Sequence, residues 1–244
     1  MSVIAVPYFM GDPMPGIDVP DPHEVLEPVL PDADPQHRMG ILYDHLAARV
    51  AADAHPVVYA GDCVSVIGVL AGLQRMEIDP TLLFFDAHGD FNTWETSPSG
   101  FIGGMPLAMV TGRGEQTIVT GAGLTPLSDE RVFLVGARDL DPGEVDALAK
   151  SAVTRVSVAE LAGGLPSGPL CIHVDLDVVD PTEMPAMNYP APGGPSLEAA
   201  CSVMTQLAAT GRVAAVSFSS WNPDLPGAGV AAAAAGRVAA PFLA

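Results

Sequence analysis

The sequence predicts an α/β fold of three layers, in which a mainly parallel central sheet lies between two layers of helices. Short, continuous apolar runs such as "TLLFFDA" and "PLCIHVDLDV" are typical of strands that are buried on both faces. Segments with apolar residues at helical spacing alternate with these runs, which favours parallel strands joined by helices. A chain of 244 residues, 49% of them apolar, can bury one substantial core, so we expect one domain over residues 1–244.

The predicted elements begin with a strand, "SVIAVPYF", and a polar, Pro-rich connection from Gly11 to about Pro35. The length of this connection suggests a surface loop that covers part of the molecule. Ser196 is expected to cap the helix "SLEAACSVMTQLAAT". The remaining predictions are helices over 39–54, 63–76 and 229–240, strands over 56–60, 81–87, 131–137 and 169–178, and a strand over 213–220 that closes the sheet. Ligands of such sheets bind at the carboxyl ends of the strands, so we expect functional residues just after the apolar runs.

The charge of the chain narrows the classes of partner. Its 29 acidic and 10 basic residues give a formal net charge of −19, which repels phosphate backbones and anionic lipid surfaces. We therefore expect neither nucleic acid nor a membrane as a partner. No apolar run reaches the roughly 18 residues that span a bilayer, and Pro7 interrupts the first apolar segment, which resembles a strand more than a signal peptide. Three widely spaced cysteines make no disulfide framework, which favours a cytoplasmic protein.

Two predicted strands end in clusters of acidic residues. Asp86, His88 and Asp90 in "FFDAHGDFNT" alternate along the chain, which puts all three side chains on one side if the backbone stays extended. Asp175 and Asp177 in "HVDLDVVDP" repeat the pattern. Any one aspartate could be a turn former, but four carboxylates above a buried sheet repel one another unless a cation lies between them. Mostly oxygen ligands with one imidazole suit Mn²⁺ better than a structural zinc site.

The same motifs carry a family resemblance. The segments "GDxxS", "DAHGDFNT", "GGMPLAM", "GARDLDPGE", "HVDLDVVDP" and "PGG" occur in the order and approximate spacing of the arginase, or ureohydrolase, family, over roughly Val57 to Pro223. The resemblance implies a parallel α/β sheet that holds two Mn²⁺ ions. In that family the two ions activate a bridging hydroxide, which attacks a guanidinium carbon.

The resemblance also implies a role for each metal-binding position. Asp86 and Asp175 would bridge the two ions and hold the hydroxide. The implied ligands of the first ion include Cys63 and Asp90, and those of the second include His88 and Asp177.

Substrate-side residues follow from the resemblance in the same way. Asp141 in "RDLDPGE" matches the acid that contacts the α-amino group of an amino-acid substrate, and Glu144 matches its neighbour. Asn92 and Ser99 match positions that contact the α-carboxylate. The implied partner is a small, amino-acid-like molecule, although the segment that begins at Asp141 is also typical of a turn and a helix start.

The chain departs from the family pattern at three positions. Cys63 stands where the family has a histidine ligand, and Gly103 where it has the histidine that shuttles protons. Ser220 stands where the family has a glutamate that pairs with the guanidinium. Phe101 and Tyr189 also replace smaller polar residues, so the carboxylate end of a substrate is expected to be recognised differently. Loss of a positioned general acid typically costs about 10²–10⁴-fold in rate, which argues against plain arginine as the substrate.

Cysteine at the ligand position without the shuttle histidine resembles the hydrolases that act on Nω-hydroxy-L-arginine in D-cycloserine biosynthesis. The resemblance implies release of hydroxyurea and L-ornithine. An N-hydroxyguanidine is less basic than a guanidine and has less need of a carboxylate to pair with its charge. This agrees with Ser220 in place of the family's glutamate.

Three alternatives stay open from the sequence. The chain could act on another amidine, such as agmatine or a guanidino acid, or it could bind metal without catalysis. Cys63 could instead act as a nucleophile, which the neighbouring acids oppose. His173 could point toward the site or be a core residue. Only a short tail follows Pro223, so we expect a monomer.

Overall fold

A computed structural model describes residues 1–17, 19, 21–219 and 221–243. Within these residues the strands are β1 (Ser2–Val6), β2 (Tyr8–Phe9), β3 (Asp12–Pro13), β4 (Glu24–Val25), β5 (Pro56–Ala60), β6 (Thr81–Phe85), β7 (Val132–Val135), β8 (Thr154–Val156), β9 (Leu170–Asp175) and β10 (Val213–Ser219). The α-helices are α1 (Pro35–Val50), α2 (Val66–Arg75), α3 (Pro106–Val110), α4 (Thr117–Ala122), α5 (Pro142–Ala149), α6 (Val158–Ala162), α7 (Leu197–Ala209) and α8 (Ala228–Ala239).

An eight-stranded sheet forms the middle layer, in the order β4-β1-β5-β10-β9-β6-β7-β8. Every pair of neighbouring strands in it is parallel. The two faces of β5 show how the layers are built, because Val58 and Ala60 belong to the apolar core shared with α1 and α2. Val57 and Tyr59 belong to the core shared with α7 and α8. The predicted three-layer α/β fold is confirmed.

The amino-terminal region differs from its prediction. The first strand ends at Val6, and Tyr8–Phe9 instead forms a separate antiparallel pair with Asp12–Pro13. Pro7 lies between the two strands, and because proline has no N–H it cannot donate to a strand ladder. The predicted loop also contributes β4, which pairs with β1 at the edge of the sheet. The connection is therefore partly built into the sheet.

Helix boundaries depend on polar residues that hydrophobic periodicity does not detect. Helix α1 begins at Pro35, four residues before the predicted start, because Asp34 caps it and its Oδ1 accepts a hydrogen bond from the His37 N–H at 3.0 Å. Ser196 caps α7 as predicted, accepting from the Ala199 N–H at 3.2 Å. The sequence prediction missed β8, α3, α4 and α6, each of them six residues or shorter.

The last strand lies in the middle of the sheet, between β5 and β9. The prediction that it closes the sheet is therefore wrong, because strand order in a parallel sheet depends on crossover connections that local patterns do not encode. This order brings the carboxyl ends of β5, β10, β9 and β6 together at one edge. In the described ranges, no helix is both long and apolar enough to cross a membrane.

Candidate metal centre and active-site cavity

A cavity of about 480 Å³ opens at the carboxyl ends of the central strands. The loops after β5, β6 and β9 supply most of its acidic lining, as expected for a parallel α/β sheet. All six predicted metal ligands line it, namely Cys63, Asp86, His88, Asp90, Asp175 and Asp177.

The loop after β6 brings its three ligands together by a route that differs from the prediction. The strand ends at Phe85, and Asp90 has a φ of 49°, in the left-handed region, so the backbone is not extended over this motif. The turn is held locally, because the His88 N–H donates to Asp86 Oδ1 at 2.6 Å. Ligand atoms of Cys63, Asp86 and Asp90 nevertheless all lie within 4.8 Å of one another.

The end of β9 supplies a second group of candidate ligands. Asp175 is the last residue of the strand, and Asp177 lies in the 3₁₀ turn that follows. The Asp177 N–H donates to Asp175 Oδ1 at 3.0 Å. Asp177 Oδ1 in turn accepts from the Ala87 N–H at 3.1 Å, which joins this turn to the loop after β6. Ligand atoms of Asp86, His88 and Asp177 lie within 4.8 Å of one another. Asp86 is therefore shared by two overlapping groups. Asp175 belongs to neither group and is joined to the first of them by the hydrogen bond from the Cys63 thiol.

Cys63 begins a 3₁₀ turn directly before α2 and is 6% exposed. Its thiol donates to Asp175 Oδ2 at 2.7 Å and lies 3.1 Å from Ser219 Oγ. The preceding Asp62 holds the turn in place. Its buried carboxylate accepts from the Tyr43 hydroxyl and from the Met10 N–H, both at 2.8 Å. No motif in the sequence signals this anchor, because Tyr43 belongs to α1 and lies 19 positions from Asp62 in the chain.

The electrostatics of the buried cluster favour a bound cation. Burial and the charge of Asp177 raise the pKa of Asp86 to about 6. Burial and the neighbouring carboxylates also raise the pKa of Asp90 and Asp175 well above the usual aspartate range, and burial raises that of the Cys63 thiol. Burial alone would lower the pKa of His88, but hydrogen bonds to Asp177 and Asp86 raise it to about 12.

Short hydrogen bonds join the imidazole and carboxylates of the cluster at positions where a cation would fit. His88 Nδ1 lies 3.0 Å from Asp177 Oδ2 and 3.3 Å from Asp86 Oδ1. A divalent cation between such groups would replace the shared protons and offset the repulsion between carboxylates. The donor set of four carboxylates, one imidazole and one thiol therefore fits a pair of divalent cations. Carboxylate oxygens favour a hard ion such as Mn²⁺, whereas the thiol is a softer donor at one of the two positions.

The predicted substrate contacts also border the cavity. Asn92 donates from Nδ2 to Asp141 Oδ2 at 2.9 Å and accepts from Thr96 Oγ1 at 3.0 Å, so its amide is already engaged in the structure. Ser99 is exposed, and its hydroxyl accepts from the Phe101 N–H at 3.2 Å. The roles of Asn92, Ser99 and Asp141 in binding a substrate stay predictions.

Glu144 connects two loops of the cavity wall. Its two carboxylate oxygens accept from the Phe91 N–H and the Asp141 N–H, each at 2.9 Å. Gly89 allows this approach, since a Cβ there would lie 2.7 Å from Glu144 Oε1. Glu144 thus positions both the metal-ligand loop and Asp141, and a direct contact with substrate stays a prediction.

Three aromatic rings line the cavity beside Gly103. The Phe101 ring packs between Phe9, at a centroid distance of 6.4 Å, and Tyr189, at 5.6 Å. We call these three rings the aromatic rim. A Cβ at position 103 would lie 2.4 Å from Phe101 Cε1, so the ring fills the space into which a side chain at that position would extend. Ser220, the third departure from the family pattern, lies outside the described residues.

A chain of buried polar side chains leads from the sheet to Cys63. His173 Nδ1 lies 2.8 Å from Ser217 Oγ, and His173 Nε2 lies 3.4 Å from Ser219 Oγ. Burial lowers the pKa of His173 to about 3, so the imidazole is neutral at physiological pH. From the sequence alone His173 could point toward the site or into the core, and neither serine was predicted to lie near it. Their spacing of two residues on β10, which puts both on one face, was the available signal.

The sequence of this chain is similar to those of known arginases and of a related hydrolase. The sequence model described as Arginase family matches residues 13–244. The arginase of Bacillus subtilis is 34% identical over 187 residues, which are 70% of this chain and 62% of that protein. The N(omega)-hydroxy-L-arginine amidinohydrolase of Streptomyces lavendulae is 32% identical over 194 residues, which are 77% of this chain and 66% of that protein.

The solved structures agree with the sequence comparison. The crystal structure of arginase from Bacillus cereus superposes with a TM-score of 0.83 at 27% identity, covering 99% of this chain and 97% of that one. The sequence match to the Bacillus subtilis arginase spans less than two thirds of that protein's length. The family model nevertheless covers nearly the whole of this chain, and the chain belongs to the arginase family.

Proposed function

We propose that this chain is a metal-dependent hydrolase of linear amidine C–N bonds, and that it cleaves Nω-hydroxy-L-arginine to hydroxyurea and L-ornithine. The observation that carries the proposal is the convergence of a thiol, an imidazole and four carboxylates on one cavity, beside a glycine at position 103. The Streptomyces lavendulae relative, whose name specifies Nω-hydroxy-L-arginine, supports the choice of substrate.

The residues present would hold two divalent cations, which we propose to be Mn²⁺. Cys63 and Asp90 would bind one ion, His88 and Asp177 the other, and Asp86 and Asp175 both. When bound, such a pair lowers the pKa of a water molecule and so supplies a nucleophile near neutral pH.

The chemistry of the substrate fits a site without a proton-donating side chain at position 103. Hydrolysis adds water to the guanidine carbon and breaks its bond to the ornithine nitrogen, which takes a proton as it leaves. A positioned general acid typically contributes about 10²–10⁴-fold to such a step. An N-hydroxyguanidine is less basic than a guanidine, so more of it is neutral, and its own hydroxyl can carry a proton.

The other end of the substrate would be held by the loops that Glu144 joins. Asp141 would accept the α-amino group, because its carboxylate borders the cavity and Asn92 fixes its orientation. Ser99 and Asn92 are the proposed contacts of the α-carboxylate. The aromatic rim would pack against the remaining apolar surface of the substrate.

The test is a direct comparison of two substrates. Protein loaded with Mn²⁺ is incubated with L-arginine and with Nω-hydroxy-L-arginine, and L-ornithine is quantified by chromatography. We expect higher kcat/KM with the hydroxylated substrate, no turnover by Asp90→Asn, and unchanged turnover by Asp146→Asn, which alters an exposed acid on α5. A preference for L-arginine would overturn the choice of substrate.

Urea release from other guanidino compounds, together with metal analysis of the loaded protein, separates the alternatives. Turnover of agmatine or a guanidino acid in place of hydroxyarginine would assign another amidine, and two bound ions without any turnover would indicate a metal-binding protein that has lost catalysis. The cytoplasmic location and the monomeric state stay predictions. Size-exclusion chromatography with light scattering measures the second.

A further inference from the structure

His173, Ser217 and Ser219 form a buried hydrogen-bonded array that ends at Cys63. All three side chains are fully buried, and the register of the sheet places His173 beside Ser217 and Asp175 beside Ser219. The imidazole also stacks on Phe84 of the next strand, with ring centroids 4.7 Å apart and an interplanar angle of 28°. The ring is thus fixed between strands β6 and β10.

The hydrogen bonds of this array have one arrangement that directs a donor to the sulfur. A neutral imidazole donates from one nitrogen and accepts at the other. If the Ser217 hydroxyl donates to Nδ1, then Nε2–H donates to Ser219 Oγ, 3.4 Å away. The Ser219 hydroxyl proton is then directed to Cys63 Sγ, 3.1 Å away. In the reverse arrangement Ser219 donates to Nε2 and has no proton for the sulfur.

We propose that Ser219 and His173 are positioning residues that set the properties of Cys63 as a metal ligand. Ser219 donates to the sulfur, and His173 fixes the direction of that donation without touching the metal site itself. The inference rests on the part of the proposed function that makes Cys63 a ligand, and it does not depend on which substrate is cleaved.

The effect on the metal follows from the electronic character of a thiolate. A hydrogen bond to a thiolate stabilises its negative charge, which holds the sulfur lone pairs at lower energy and makes the thiol easier to deprotonate. Because a metal binds the thiolate and not the thiol, loss of this hydrogen bond should weaken metal binding at neutral pH. Groups that hydrogen-bond to metal ligands typically change metal affinity about 10–100-fold when removed. Ser219 forms a hydrogen bond to Cys63, which belongs to one of the two candidate ligand groups, so the ion on the Cys63 side should be the one affected.

Cobalt titration tests the proposal, because a Co²⁺–thiolate bond gives a charge-transfer band in the near ultraviolet. Metal-free protein is titrated with Co²⁺, and the band is followed separately from the total bound metal. For Ser219→Ala we expect a shift of the band to longer wavelength and a rise of about 10–100-fold in the Co²⁺ concentration that half-saturates it. His173→Met is expected to shift the band in the same direction, and the double variant no further than Ser219→Ala.

Control variants identify the sulfur and the role of the ring. Cys63→Ala should remove the band, and Cys171→Ala, which removes the other buried thiol, should leave it unchanged. His173→Gln offers an amide N–H in place of Nε2–H and should restore a band close to that of the unmodified protein. If His173→Met does not fold, Ser217→Ala tests the same array and should give a smaller shift in the same direction.

The outcomes that overturn the proposal are distinct from failure of the proposed function. The proposal is overturned if the band of Ser219→Ala is unchanged. It is also overturned if the band shifts in Ser219→Ala but in neither His173→Met nor Ser217→Ala. A protein that shows no thiolate band would also overturn it, because Cys63 would then not bind the metal. Absence of amidine hydrolysis with the expected band shifts would refute the substrate and leave this inference supported.

Discussion

A methyl group added at Gly103 should displace the Phe101 ring. The new Cβ would lie 2.4 Å from Cε1 and 2.5 Å from Cζ of Phe101. Ordinary carbon–carbon contact needs about 3.5–4.0 Å, so the ring must retreat by more than about 1 Å. The ring would then leave a favoured rotamer or lose its packing with Phe9 and Tyr189, each of which costs about 0.5–1.5 kcal/mol.

The backbone at position 103 does not itself oppose alanine, since its φ lies outside the left-handed region. Replacing glycine by alanine at a compatible position stabilises a protein by about 0.4–1 kcal/mol. In the unmodified protein this gain offsets part of the cost of displacing the ring, so Gly103→Ala should change stability by less than about 1 kcal/mol. In Phe101→Ala the obstructing ring is absent, and the same change should stabilise the protein by about 0.4–1 kcal/mol. The coupling energy between the two positions is the cost of displacing the ring, about 0.5–1.5 kcal/mol.

Urea unfolding of the four proteins in this double-mutant cycle measures the coupling. Gly104→Ala is the matched control, because a Cβ at that neighbouring position would meet nothing within 4 Å, and its effect should be the same with or without Phe101. An equal effect of Gly103→Ala in both backgrounds would refute the view that the ring occupies the space of a side chain at position 103.

Two further predictions concern protonation. In the metal-free folded protein the pKa of Asp86 is about 6, against about 3.9 in an unfolded chain. Between pH 3.9 and pH 6 the folded state therefore binds more protons than the unfolded state, and the free energy of unfolding falls by up to about 1.4 kcal/mol per pH unit as the pH rises through this range. Mn²⁺ removes this cost, and its effect on Tm should be larger at pH 7.5 than at pH 5.5; an equal shift at both pH values would contradict the prediction. Asp129 accepts two hydrogen bonds from Arg113, both at 2.7 Å, and these lower its pKa. Asp129→Asn should cost about 1 kcal/mol at pH 7, and because a lowered pKa stabilises only the ionised form, the Tm difference from the unmodified protein should shrink as the pH falls below about 4; a difference that stays constant down to pH 3 would exclude this ion pair as its source.

The sequence predicted the fold class and the convergence of the candidate ligands on one cavity, because both depend on local patterns. Apolar runs without alternation indicate strands that are buried on both faces, and "TLLFFDA" and "PLCIHVDLDV" became the neighbouring strands β6 and β9. Their aspartates follow directly, so parallel strand order alone brings Asp86 and Asp175 to the same edge. A prediction of that kind requires no knowledge of how the loops turn.

The remaining features depend on contacts between distant parts of the chain. The left-handed Asp90 and the 3₁₀ turn at Asp177 replace the extended backbone assumed from alternation, because hydrogen bonds from backbone N–H groups to carboxylates fix these loops. The array at Ser219 requires β10 beside β9, which no local pattern specifies. The contact of Phe101 with Gly103 depends on how the loop between β6 and α3 folds back on itself.

The central position of β10 has a consequence for how the protein is made. Synthesis reaches β5, β6 and β9 before it reaches β10, so until residues 213–219 are available the strands β5 and β9 present unpaired edges to one another. The Cys63 turn and Asp175 lie on opposite sides of that gap. A nascent chain therefore carries all six candidate ligands well before it can hold them together, and the candidate metal centre is complete only when the last strand of the sheet is inserted.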